Sequence, residues 1–594
     1  MSVTDVAWDL EPLVHGEGAA GADRMLDEAT ARAQGLAERY AGRVAALDGA
    51  GLAHAVAELE AVNDLVGRAG SYAMLRFSVD TVDPANGALL QRVQERAARI
   101  ETALVFFELE WAAVDDVRAD ELLRADGLET ARHYLRAVRR YRPHLLSEPE
   151  EKILTEKGVT GHSAWGRLFS EQLSALQVRL PGAEEPVALD SALARLMSPS
   201  RDERRDAATA VTIALEDGLR TRAYIFNTLV QDKAIDDRLR HYPHWLASRN
   251  LANEAGDESV EAMLSAIRSR YAVPQRWYRL KARLLGLERL ADYDRMAPVT
   301  LDDEAVGWED AQRLVLDSYH AFSSVLGDTA ERFFTDRRID APVRPGKRGG
   351  AFCAYTVPSE HPYLMLNWTA KRRDVLVLAH ELGHGLHAKL SGPRGPLEFH
   401  TPLTLAETAS VFGEELVFRR LLDQAATPDS RLGLLAESIE GSIATVFRQT
   451  AMNGFEELLH TQRRERGELS VADLNALWRR SQEELLGDAV EVTEGYGSWW
   501  SYVPHFIQAP GYVYAYAYGQ LLALSIYQRY REVGEAFVPS YLELLAAGGS
   551  RGPEELAAIV GIDLADPGFW DKGLDLVDGQ LAQAEAAARE VLPA

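Results

Sequence analysis

Cysteine is almost missing: Cys353 is the only one in 594 residues. No intramolecular disulfide can form, and no thiolate-based metal site can be assembled. Such scarcity fits a reducing compartment. Long apolar runs are missing as well. No stretch reaches the roughly 18 uninterrupted apolar residues of a membrane-crossing helix, so none is expected. The first fourteen residues lack a basic region followed by an apolar one, so no signal peptide is read there. Cations are in deficit. The chain has 64 Lys and Arg against 90 Asp and Glu, a formal net charge of -26. A polyanion is repelled by nucleic acid and by anionic membrane surfaces, which removes both as default partners. A cytoplasmic protein is the default expectation. Gly/Ser-rich linkers, low-complexity runs and internal repeats are absent too.

What remains is ordinary globular material, 47% hydrophobic and 26% charged. The length exceeds what one hydrophobic core serves, so more than one domain is expected. The N-terminal third reads as helices. After Asp83-Pro84, a cap and first-turn pair, apolar residues recur at Leu90, Val93, Ala97, Ile100, Leu104, Phe107 and Trp111. Steps of three and four place them on one helix face, and core packing explains that stripe. Residues 177–180 and 186–189 flank a Pro-Gly turn and read as a small hairpin. Ser198-Pro199 reads as cap and first residue of a new helix. A soft boundary falls near 195, dividing an N-terminal helical lobe, 1–195, from a C-terminal region, 196–594. Residues 200–335 read as helical, with breaks at Pro274 and Pro298. Extended segments at 351–355 and 363–368 predict a small sheet. Helix then resumes from about 374 to the end, apart from a Gly/aromatic loop at 495–512.

The chemistry concentrates in His380-Glu381-Leu382-Gly383-His384. Two histidines four apart stand one turn apart on one helix face, where both imidazoles can hold one ion. Glu381 is rotated about 100° from His380, too far to be an equal ligand but near enough to reach a metal-bound water. This is the logic of His-Glu-x-x-His: two ligands and a general base. A catalytic zinc site wants a third protein ligand. The metzincin spacing fails, because His387 and Leu390 stand where Gly and His are required. Glu407 lies 23 residues after His384 with apolar flanks, and Glu414 and Glu415 follow it. Spacing leaves these three open, with Glu414 or Glu415 also suited to accept from a ligand imidazole. His387 lies nearly on the ligand face but further along, which suits packing or a substrate contact better than metal binding. A tyrosine-rich stretch, Gly495 to Gly519, carries groups able to donate to an oxyanion or clamp a substrate. Most of its aromatics read as core.

These segments together resemble one family. HELGHGLH, AETASVFGEE and PHFIQAPGYVYAYAYG, in that order, are similar to the thimet-oligopeptidase family of zinc metallopeptidases (M3), and to its oligoendopeptidase F branch in particular. WDLEPL near the N-terminus, HLLSEPEEKIL at 144–154 and GKRGGAFCAY before the motif helix agree. The resemblance implies a mainly α, two-lobed zincin-type fold with a deep central channel and a small β-sheet beside the zinc helix. It implies one Zn2+ per chain on His380, His384 and Glu407, with Glu381 as base. His505 and Tyr512 would stabilise the oxyanion and Tyr516 would bind substrate, although Tyr514 and Tyr518 compete for those assignments. Gly349, Gly350 and Ala351 would pair with an extended peptide. Short unstructured oligopeptides would be the substrates and endopeptidase hydrolysis the reaction. Two other readings remain open: a zinc carboxypeptidase or dipeptidyl carboxypeptidase using Lys347, Arg348, Lys371 or Arg372 for the free C-terminus, and a non-catalytic peptide-binding protein.

Overall fold

The computed structural model describes residues 3–300, 305–566 and 568–592, which leaves Met1 and Ser2 of the N-terminal stretch outside the described residues. Helices dominate, and the strands are few and short. Two compact units emerge, each assembled from three stretches of chain. The first joins Met1–Arg142, Asp303–Asp423 and Ala523–Leu564; the second joins Pro143–Asp302, Gln424–Leu522 and Ala565–Ala594. Residue 195 lies within the second unit.

In the first unit three long helices, Gly18–Tyr40, Gly49–Val79 and Pro84–Ala113, pack on one another. Asp83 caps the third by accepting from Ala85 N–H. Val93, Ile100, Leu104, Phe107 and Trp111 are buried as the periodicity predicts, while Leu90 is only half-buried and Leu89 takes the inward place.

A three-stranded sheet follows: β1 (Ile339–Pro342), β2 (Phe352–Ala354) and β3 (Tyr363–Trp368), in the order β1-β3-β2. β2 runs antiparallel to β3, with Phe352 opposite Met365, Cys353 opposite Leu364 and Ala354 opposite Tyr363. The sequence does not announce β1, because Asp340 and Pro342 interrupt its apolar pattern. Asp340 is buried there by Lys347, whose Nζ donates to Asp340 Oδ1 (2.6 Å), Pro342 O (2.9 Å) and Leu366 O (2.6 Å). The helix Arg372–Ser391 packs across β2 and β3 and ends where Ser391-Gly392-Pro393 predicts.

The second unit is built around Leu219–Leu239, Arg448–Arg466 and Val471–Leu486. The small hairpin forms, with Gln177 opposite Ala188 and Val178 opposite Val187. Two expectations need correction. Ser200, not Ser198, caps the helix Arg201–Glu216; Ser198 Oγ instead accepts from Ser200 N–H and donates to Glu203, so the Ser-Pro pair sits just outside the helix. The stretch 495–512 is also no open loop. Glu494–Tyr502 winds as a 3₁₀ helix and His505–Gln508 as one helical turn. Tyr496, Trp499, Trp500 and Phe506 anchor it in a core shared with Phe226, Phe455 and Trp478. Aromatic burial there outweighs the glycines. Among the described residues no helix is long and apolar enough to cross a membrane.

Candidate metal centre

His380, Glu381 and His384 lie on the helix Arg372–Ser391. Glu407 does not lie on the next long helix. It closes a four-residue turn, Leu403–Ala406, just before the helix Ser410–Gln424 begins. One ligand atom each from His380, His384 and Glu407 lies within 4.8 Å of the others, and this trio could hold a metal ion. Glu407 Oε2 is 3.4 Å from His380 Nε2 and 3.5 Å from His384 Nε2.

The approach depends on glycine. A Cβ at Gly383 would stand 2.4 Å from Ala409 O and 2.6 Å from Ser410 Cα, so the segment behind Glu407 rests directly on the motif helix. Gly413 does the same from the other side: a Cβ there would overlap the Tyr319 hydroxyl, which donates to Ala379 O (2.8 Å).

Each side chain of the trio is held from behind. Glu414 Oε2 is 3.1 Å from His380 Nδ1, and the Ala406 carbonyl bonds the His384 ring. Ser410 Oγ donates to Glu407 Oε2 (2.6 Å). Such outer partners fix imidazole orientation and carboxylate position. Glu415, the other alternative, faces away and pairs with Arg419 Nε (2.6 Å). Burial would push His380 down, but the Glu414 and Glu407 carboxylates hold it at about 9. Burial raises Glu381 to about 7 despite His380 and a hydrogen bond from the Cys353 backbone. Two imidazoles and a carboxylate, each braced, fit a zinc ion with an open coordination position. His387 is buried, and neither ring nitrogen has a partner among the described residues. It is not part of the trio.

Gly349 and Gly350 form an exposed turn ahead of β2, and pairing begins only at Phe352. The reason is backbone geometry: Gly350 has φ +82°, which breaks the extended run. Asn367 Nδ2 ties the turn down through Arg348 O (2.9 Å) and Gly350 O (2.7 Å). Ala351 is half-buried at the strand entrance. β2 is bonded only to β3, so its outer edge pairs with no strand among the described residues.

In the second unit the tyrosines sort themselves. Tyr514 and Tyr518 are wholly buried; Tyr514 Oη accepts from Asn253 Nδ2 (3.0 Å), and Tyr518 Oη lies 2.9 Å from Ser259 Oγ. Tyr512, Tyr516 and His505 are half-exposed and cluster together. The His505 and Tyr512 rings are nearly parallel at 6.4 Å, and His505 Nε2 is 3.3 Å from Tyr516 Oη. Two residues escaped the sequence reading. Glu456 Oε1 accepts from Gly511 N–H (2.8 Å), and Arg249 lies over the Tyr512 ring at 5.8 Å. Glu456 carries the same signal that singled out Glu407, a carboxylate beside apolar neighbours, here Phe455 and Leu458. Arg249 gives no local signal.

A helix bearing His-Glu-x-x-His beside a small sheet, with a carboxylate brought up by the following segment, defines a mainly helical metallopeptidase of zincin type. The sequence profile of Peptidase family M3 matches residues 195–576, and that of Oligopeptidase F matches residues 110–177. The chain belongs to peptidase family M3. It is 25% identical over 564 residues to Oligopeptidase PepF of Bacillus subtilis, covering 93% of this chain and 83% of that one. It is also 25% identical to Group B oligopeptidase PepB of Streptococcus agalactiae, covering 86% of each. The fold matches oligoendopeptidase-F from Enterococcus faecium with a TM-score of 0.73 at 22% identity, over 96% of this chain and 99% of that one. A crystal structure from Chlamydophila abortus matches at 0.87 with 21% identity, over 99% of both chains.

Proposed function

We propose that this chain is a zinc endopeptidase that hydrolyses short unstructured oligopeptides in the cytoplasm. One observation carries the reading: His380, His384 and Glu407 converge within 4.8 Å, with Glu381 next to the first of them, in a member of family M3. We assign those three as ligands of one zinc ion and Glu414 as the acceptor that orients His380. Bound zinc would supply a Lewis acid for the scissile carbonyl and the attacking water. Glu381 takes the proton of that water and delivers it to the leaving amine. We assign His505 and Tyr512 as donors to the developing oxyanion. Their half-exposed side chains support this, whereas Tyr514 and Tyr518 are wholly buried.

Tyr516 and the Gly349-Gly350-Ala351 turn are assigned to the peptide. The unpaired edge of β2 supports a substrate held by main-chain bonds, which reads extension rather than side chains. Relatives named as oligopeptidases support the same substrate class. The carboxypeptidase reading loses one of its cations, because the Lys347 side chain is fully buried and engaged by Asp340, Pro342 and Leu366.

The test is a quenched fluorescent peptide with a free or amidated C-terminus. Equal cleavage of both, abolished by a chelator and restored by zinc, is expected. Loss of cleavage on amidation favours the exopeptidase. Less than about 0.2 zinc per chain without chelator-sensitive turnover refutes the enzyme. Glu381→Gln should keep its zinc and lose at least about 100-fold in kcat.

A further inference from the structure

The Pro510-Gly511-Tyr512 turn is held by groups that no catalytic step requires. Glu456 is 1% exposed on the helix Arg448–Arg466. Its Oε1 accepts from Gly511 N–H at 2.8 Å, while Oε2 has no partner among the described residues. A carboxyl group buried with half its capacity unused is costly to keep, so it needs a reason. Gly511 sits at φ +73°, and a Cβ there would meet Leu246 Cδ1 at 2.6 Å and Trp245 Cζ3 at 3.3 Å. The turn is therefore pressed onto the segment that leads into the helix Ala247–Ala252. From that helix Arg249 Nε reaches Pro510 O (3.4 Å), and its guanidinium covers the Tyr512 ring at 5.8 Å. Pro510 is gripped through its carbonyl and Gly511 through its N–H, and the next residue is the tyrosine.

We propose that Glu456 and Arg249 are positioning residues that aim Tyr512 at the substrate, a role that rests on the assignment of Tyr512 as an oxyanion donor. Glu456 fixes the backbone of the turn through Gly511. Arg249 fixes its carbonyl and the face of the ring. A donor in a preorganised site acts only within a fraction of an ångström of its productive place, and a displacement of about 1 Å can lower turnover about 100-fold. Neither residue need touch the peptide.

A double-mutant cycle tests this. Glu456→Leu should lower kcat about 30-fold or more with KM within about threefold, because the loss is in transition-state contact. Glu456→Gln keeps an acceptor for Gly511 N–H and should stay within about threefold of the parent. Tyr512→Phe should lower kcat by about 100-fold, and in that background Glu456→Leu should cost less than about threefold more. Equal losses from Glu456→Leu with and without Tyr512, at unchanged zinc content, overturn the proposal. So does full activity of Glu456→Leu when Tyr512→Phe is impaired. Full activity of Tyr512→Phe itself refutes the assignment of Tyr512 instead. If Glu456→Leu does not fold, Arg249→Met in the same cycle decides, with the same expected non-additivity and the same refuting result.

Discussion

Replacing Gly383 by Ala puts two opposed effects on one methyl group. Gly383 is inside the motif helix Arg372–Ser391, where Ala is intrinsically the better residue by about 1 kcal/mol. Were helix propensity the only factor, Gly383→Ala would stabilise. The new Cβ, however, would stand 2.4 Å from Ala409 O and 2.6 Å from Ser410 Cα, both backbone atoms that cannot swing aside. Ordinary contact needs the Ala409-Ser410 backbone to retreat by about 1 Å, and forced overpacking costs about 1–3 kcal/mol. Packing therefore offsets or outweighs propensity, and the net change is a loss of up to about 2 kcal/mol. Glu407 is two residues from Ala409 and moves with it, whereas metal–ligand distances tolerate only about 0.2 Å. Zinc affinity should fall about 10- to 100-fold, the range seen when ligand support is disturbed. Zinc competition against a chelator reads the affinity, and chemical denaturation of the zinc-free protein reads the stability. The exposed helical Gly441, where a Cβ would meet nothing within 4 Å, is the control: Gly441→Ala should stabilise by up to about 1 kcal/mol and leave zinc binding alone. A Gly383→Ala protein that behaves like Gly441→Ala refutes the account of how Glu407 is brought to the histidines.

Glu414→Gln weakens the brace on His380, so zinc affinity by chelator competition should drop about 10-fold with folding stability little changed. Lys347→Met leaves Asp340 to Arg344 alone and removes the ammonium that donates to the carbonyls of Pro342 and Leu366, so urea unfolding should show a loss of about 2 kcal/mol. Burial lifts the Glu456 carboxyl to about 8 against the pull of Gly511 N–H, Arg249 and Lys233. A raised carboxyl means that the folded chain binds the extra proton between about pH 4.5 and 8, so this group's contribution is complete at low pH and is lost as pH rises through that window. Glu456→Gln cannot ionise; its thermal midpoint should gain on the parent's from pH 5 to pH 8, and a constant difference would contradict the assignment.

Local geometry was legible in the sequence where periodicity or spacing carries it. His380, Glu381 and His384 needed only a helix, and the helix ends at the predicted stop. The sheet beside it was half legible. β2 and β3 read as extended, but β1 hides a buried aspartate that Arg344 and Lys347, four and seven residues later, make tolerable. The third member of the trio was beyond spacing alone, because Glu407 sits in a turn whose placement depends on Gly383 and Gly413 meeting other segments. The four tyrosines could not be ranked from sequence, since their difference lies in partners far along the chain: Asn253 for Tyr514 and Ser259 for Tyr518. The 495–512 stretch misled through its glycines, whose freedom is overridden by the burial of Trp499 and Trp500.

The threading of the first unit sets a timetable for its maturation. Its last stretch, Ala523–Leu564, is more than a hundred residues downstream of Glu407. That stretch supplies Tyr541, whose ring stacks on Phe412 at 4.3 Å and whose hydroxyl donates to Thr408 O at 3.3 Å, and Tyr527, which packs on Phe412 at 5.4 Å. The backbone that presents Glu407 is thus clamped by residues made more than a hundred positions after it. Both histidines can be on a helix long before the carboxylate that completes the trio is locked. Truncation anywhere before residue 523 leaves the clamp unbuilt.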